Sequence, residues 1–108
     1  MAARRLRVVF TQSAWGDLEE IVAYWSRRGE PERGERYAHD LPAEAIRQLS
    51  DPGIARRGHH LRRTAYPEVQ EFPVFRRSYR ILYLRKEAEG VVEVLRFWHS
   101  RRDEPFQE

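Results

Sequence analysis

Two β-rich runs near the end of the chain, YRILYLR from Tyr79 and VVEVLRFWH from Val91, are separated by only KEAEG. So short a link leaves them one arrangement, an antiparallel hairpin. Alternation then sets Tyr79, Ile81 and Tyr83 on one face of the first run and Arg80, Leu82 and Leu84 on the other. A third run, VQEFPVF from Val69, carries Pro73, which lacks a ladder donor and suits an edge strand or a bulge.

The other end of the chain begins with a strand too. LRVVF, residues 6 to 10, is short, β-branched and apolar. Thr11 follows as a helix cap, and Phe10 and Trp15 have the spacing of a hydrophobic staple. Ala14, Leu18, Ile21, Val22 and Trp25 make one apolar stripe, with Asp17, Glu19, Glu20 and Arg27 mostly off it, and the helix should stop near Gly29.

Pro31 fits the first turn of a second helix, in which Tyr37, Leu41, Ala45 and Leu49 recur at fourfold spacing before SDPG closes it. Pro42 predicts a kink, or a helix restarted with Asp40 as cap. Residues 54 to 67 lack periodicity and read as a loop. The expected architecture is α+β, in the order β-α-α-β-β-β: a helical hairpin packed on one face of a small, mainly antiparallel four-stranded sheet, in a single domain over residues 1–108.

Composition narrows the chemistry. There is no cysteine, which excludes disulfides and thiolate metal ligands. No apolar run approaches the roughly 18 residues of a membrane span, and the N-terminal segment is too short in apolar residues for a secretion signal, so a cytoplasmic protein without a membrane partner is expected. Lys86 is the single lysine beside 19 arginines. Arginine is a poor proton shuttle but its planar fork suits carboxylates and phosphates. Between Ile54 and Arg85 eight arginines face only Glu68 and Glu71, a basic stretch suited to an acidic partner or nucleic acid. His39, His59 and His60 have no metal-site spacing and receive no role; no metal or cofactor is expected.

VVFTQSAWGDLEEIVAYW resembles the opening strand and helix of the ParE/RelE superfamily of toxins from type II toxin–antitoxin modules. FPVFRRSYRILYLRKEAEGVVEVLRFWHSRRD looks like that superfamily's closing segment, with a Tyr-Arg-(aliphatic)₂-Tyr strand and a final strand ending in His-x-Arg-Arg-Asp. The likeness runs from about Leu6 to Asp103. It implies a toxin, often part of a plasmid-stabilisation system, that arrests growth until a cognate, ParD-like antitoxin binds it. RelE-like members are ribosome-dependent endoribonucleases; ParE-like members poison DNA gyrase.

The two branches ask different things of the same residues. Cutting RNA through its 2′-hydroxyl needs a base, a cation for the phosphorane-like charge and an acid for the leaving oxygen. Arg80 matches the strand arginine of the RelE-like pattern, Arg101 or Arg102 the late one, His99 a general acid, and Glu71 is a distant candidate base. The loop lysines of that pattern are missing. In the ParE-like branch the same ending is structural, with Asp103 pairing with Arg101 or Arg102. The ParE-like reading is favoured, with no catalytic residue assigned, gyrase as target and the ribosome as the alternative; Arg80, His99 and Arg102 are the nuclease set if that alternative holds. A domain of the same fold that binds protein or nucleic acid without toxicity is the third reading.

Arg80, Arg96, His99, Arg101 and Arg102 are the candidate target-binding residues. For the antitoxin the candidates are Tyr83, Phe97 and Trp98, expected on a sheet face the helices leave uncovered, together with Arg76 and Arg77. A tail disordered by itself would fold onto that face as an amphipathic helix, with its acids meeting the basic stretch.

Overall fold

A computed structural model describes residues 4–61 and 65–101 of the chain. Strand β1 (Arg7–Phe10) leads into helix α1 (Gln12–Arg27), which a short turn joins to α2 (Pro31–Leu49). There follow a short helix α3 (Pro52–Arg56) and strands β2 (His59–His60), β3 (Gln70–Val74), β4 (Tyr79–Lys86) and β5 (Val91–His99). The strands form one five-stranded sheet in the order β1-β5-β4-β3-β2. β1 runs parallel to β5, and the other pairs are antiparallel.

The start of α1 has the expected local chemistry. Thr11 Oγ1 accepts from the Ala14 N–H at 3.1 Å, and the Phe10 and Trp15 rings lie 5.0 Å apart. At the far end Gly29 adopts φ +78°, a conformation open to a residue without Cβ, and turns the chain into α2. The two helices touch closely at Gly34, where a Cβ would sit 3.0 Å from Trp25 Cβ and 3.1 Å from Val22 Cα.

Two expectations are corrected here. α2 runs unbroken through Pro42, so Asp40 is an interior helical residue and not a cap. Residues 54 to 67 are not all loop: α3 begins on the Asp51 side chain, which accepts from the Gly53 N–H at 2.8 Å, and His59 and His60 pair with Glu71 and Gln70 as a fifth strand. A two-residue strand has too little length for alternation to show.

The main core lies between the helix pair and the sheet. Ala14, Leu18, Ile21 and Trp25 of α1 and Leu41, Ala45 and Leu49 of α2 cover Tyr79, Ile81, Tyr83, Val92, Val94 and Phe97. Burying so many large side chains at about 25 cal/mol per Å² is the principal source of stability. Trp25 also donates its indole N–H to the Tyr79 hydroxyl at 3.0 Å.

β5 changes parity midway. Leu82 pairs with Arg96 but Tyr83 pairs with Val94, so Leu95 is an extra residue, a β-bulge. Val92 and Val94 point toward the helices before it, and Phe97 does after it. Leu95 already faces the opposite side and the bulge brings Trp98 there too, where both join Leu84 around a second small core of Leu61, Val69 and Leu82. The face away from the helices is therefore partly covered by the chain's own segment at Leu61 and Val69.

Candidate macromolecule-binding surface

The sequence candidates divide by face. Tyr79 pairs across the hairpin with His99, and Arg80 with Trp98. Paired residues share a face and successive residues alternate, so Arg80 and His99 lie on opposite sides of the sheet. Arg80 donates to Glu71 Oε2 at 2.9 Å, and its side chain is 14 % exposed. His99 packs between Tyr24 and Tyr79, with ring centroids 5.6 and 5.0 Å away. Its Nδ1 accepts from the Arg101 N–H at 3.1 Å.

Arg96 leans back from its strand to α1. Its Nε and Nη2 donate to the two oxygens of Asp17 at 2.7 and 2.8 Å, and the backbone N–H of Phe97 donates to the same carboxylate at 3.0 Å. The Asp17 hydrogen bond raises the Arg96 pKa above its ordinary value, against the lowering effect of burial. β1 pairs with β5 only as far as Val94, and beyond that point Asp17 supplies a partner for the Phe97 N–H. Thr11 completes the seam by donating its hydroxyl to Leu95 O at 2.8 Å. Asp17 is thus buried at 6 % exposure, although the sequence reading placed it off the apolar stripe. Its position three residues after Ala14 and four before Ile21 was the available signal.

Tyr83 and Phe97, expected on an uncovered face, are core residues at 0 % and 2 % exposure. They sit on the side the helices occupy, Phe97 because of the bulge. The Tyr83 hydroxyl donates to Ala55 O at 2.7 Å, and burial pushes its pKa up to about 12. Trp98 is half-buried on the other face, with the Arg96 guanidinium 5.1 Å from its ring centroid. Beside the second small core runs a groove of about 330 Å³ lined by Thr11, Tyr66, Leu84, Leu95 and Arg96, among others. Arg102 and Asp103 lie outside the described residues.

Gln70, which the sequence reading passed over, is buried and holds the turn before β2. Its amide donates to Gly58 O at 2.9 Å and its oxygen accepts from Arg85 Nε at 2.6 Å. Arg76 and Arg77 are exposed in the β3–β4 turn, where Phe75, Arg76 and Arg77 all have positive φ (51°, 55° and 68°). The structure thus brings Arg76, Arg77, His99 and Arg101 to one end of the molecule and keeps Arg80 apart from them. Among the described residues no cluster of His, Asp or Glu fits a metal ion, and no helix is long and apolar enough to cross a membrane.

A helical hairpin on a mainly antiparallel sheet whose first strand returns parallel to the last is a fold shared with solved structures of toxin–antitoxin systems. It matches the chromosomal ParDE toxin–antitoxin system of P. aeruginosa with a TM-score of 0.69 at 18 % identity, over 90 % of this chain and 98 % of that one. It matches the RelBE2 toxin–antitoxin complex of Mycobacterium tuberculosis with a TM-score of 0.63 at 22 % identity, over 88 % and 98 %. No curated protein sequence matches significantly. The family model described as ParE toxin of the type II toxin–antitoxin system parDE matches residues 8–104, and the chain belongs to that family.

Proposed function

We propose that this ParE-type toxin arrests growth by binding its target and not by cutting RNA, that the target is DNA gyrase, and that a cognate antitoxin neutralises it. The observation that carries the first part is the register of the β4–β5 hairpin. Tyr79 opposite His99 and Arg80 opposite Trp98 put the would-be general acid and the would-be phosphate cation on opposite faces of the sheet. One scissile phosphate would have to touch both. Arg80 is moreover held by Glu71, the only base the nuclease reading had to offer. Membership of the ParE family supports gyrase as the target.

The antitoxin reading draws support from the two similar structures, both from toxin–antitoxin systems. The groove along Leu84 and Leu95 is the surface we assign to it, in place of Tyr83 and Phe97. An amphipathic segment seated there would cover the apolar edge of the second small core.

The test is induction of the wild-type chain and of His99→Ala in growing cells. DNA supercoiling and double-strand breaks are read in one arm, and cleavage of message on translating ribosomes in the other. The expected result is DNA damage with intact message for both chains. Codon-positioned cuts that vanish in His99→Ala would overturn the binding reading in favour of a nuclease. Unimpaired growth on induction would leave a domain of this fold without toxicity.

A further inference from the structure

The arginines of this chain fall into two groups. One group is tied to carboxylates: Arg47 to Glu44, Arg56 and Arg85 to Glu87, Arg80 to Glu71 and Arg96 to Asp17. These are framework contacts. The second group pairs with no carboxylate among the described residues, and four of its members, Arg28, Arg76, Arg77 and Arg101, gather around one concave cleft of about 420 Å³. That cleft lies between the tip of the helical hairpin and the β3–β4 turn. Arg33 lines it as well, and its single acid, Glu30, is already engaged by Arg33 at 3.4 Å.

Two further observations show that these cations are held in place. Arg33 lies 4.2 Å over the Trp25 ring and Arg28 lies 5.1 Å over the Tyr24 ring, so each guanidinium is attracted to an aromatic face. Arg76 and Arg77 sit in the left-handed region, which costs a non-glycine residue roughly 1 kcal/mol or more. The turn is pinned by the Ser78 N–H donating to Phe75 O at 3.0 Å and by the Ser100 hydroxyl donating to Arg77 O. A flexible pair of arginines would be the cheaper way to make a merely soluble surface.

We propose that this cleft binds the phosphodiester backbone of a nucleic-acid strand. Five guanidiniums around one hollow of nucleotide size present more forked donors than side-chain carboxylates spaced along a peptide could engage, whereas neighbouring phosphates accept from several arginines at once. Past Arg76 and Tyr37 a second, shallower hollow of about 940 Å³ adds Arg36 together with Glu32 and Asp40, so the surplus of positive charge that would hold phosphates lies in the first cleft. This inference goes beyond the gyrase reading and does not depend on it.

The test is fluorescence anisotropy of the purified full chain with labelled 12-nucleotide single strands of DNA and of RNA, titrated over salt. Arg76→Asn/Arg77→Asn removes two charges while asparagine keeps the left-handed turn accessible. It is expected to weaken binding roughly 10- to 30-fold at 0.1 M salt and to lower the salt slope by about 1.4. Arg28→Gln, which leaves the turn untouched, should give about half that change in slope. Arg4→Gln/Arg7→Gln alters the net charge equally at the opposite end of the sheet and should change affinity less than twofold. Binding of DNA alone, of RNA alone or of both supports a phosphodiester site and assigns its source. Equal losses in all three variants, no loss in the first two, or equally tight binding of a 12-residue polyglutamate would overturn it.

Discussion

Replacing Asp17 by alanine tests the seam between α1 and the β5 bulge. Asp17 accepts from Arg96 twice and from the Phe97 N–H once, and its loss leaves that N–H buried without a partner. An orphaned buried N–H costs about 2 kcal/mol. Breaking a fully buried ion pair would add 3–5 kcal/mol, but the Arg96 side chain is 30 % exposed and can turn to water, so about 1 kcal/mol is the appropriate figure. Together Asp17→Ala should lose about 3 kcal/mol and roughly 15 °C in Tm. Asp17→Asn keeps an oxygen for Phe97, loses only the charge pairing with Arg96 and should cost about 1 kcal/mol. Urea unfolding at pH 7 measures both, and a double-mutant cycle with Arg96→Met should give a coupling of about 1 kcal/mol. A loss under about 1 kcal/mol for Asp17→Ala, or no coupling, would refute the account of the bulge as a structure completed by this carboxylate.

Three further outcomes are expected. A Cβ at Gly58 would lie 1.8 Å from the Tyr83 hydroxyl oxygen, and the buried ring has nowhere to move, so Gly58→Ala should cost about 3 kcal/mol or more. Adding Tyr83→Phe, which removes the clashing oxygen, should restore part of that stability in urea titrations. The Tyr83 phenol has a folded-state pKa raised to about 12 from 10, so its contribution is fully present below pH 10 and is lost as pH rises through 12. Unfolding free energy should therefore fall by about 2–3 kcal/mol between those values, and less in Tyr83→Phe. Leu95→Lys, at the groove assigned to the antitoxin, should leave toxicity intact in a growth assay while abolishing rescue by the co-expressed antitoxin.

Much of the fold was legible because its periods are long and regular. The sixteen residues of α1 and the nine of β5 carry enough repeats for the 3.6- and 2-residue patterns to declare themselves. β2 does not, being two exposed histidines whose pairing is set by β3. The site was less legible for a different reason. Alternation carried unbroken along β5 leaves Phe97 on the uncovered face, and a single extra residue at Leu95 reverses that. Asp17 was hidden by its type: a carboxylate on an apolar stripe reads as solvated until the backbone group it serves is visible. The gathering of Arg28, Arg76, Arg77 and Arg101 comes from three separate parts of the chain, and nothing local in the sequence brings them together.

The bulge at Leu95 also bears on how such toxins diverge. A bulge takes up one inserted residue locally, so the side chains beyond it keep their partners and faces while the strand, its neighbours and the helical pair stay where they were. Losing Leu95 would straighten the strand and keep Tyr79 opposite His99 and Arg80 opposite Trp98, so the histidine and the strand arginine stay on separate faces whether or not that extra residue is present.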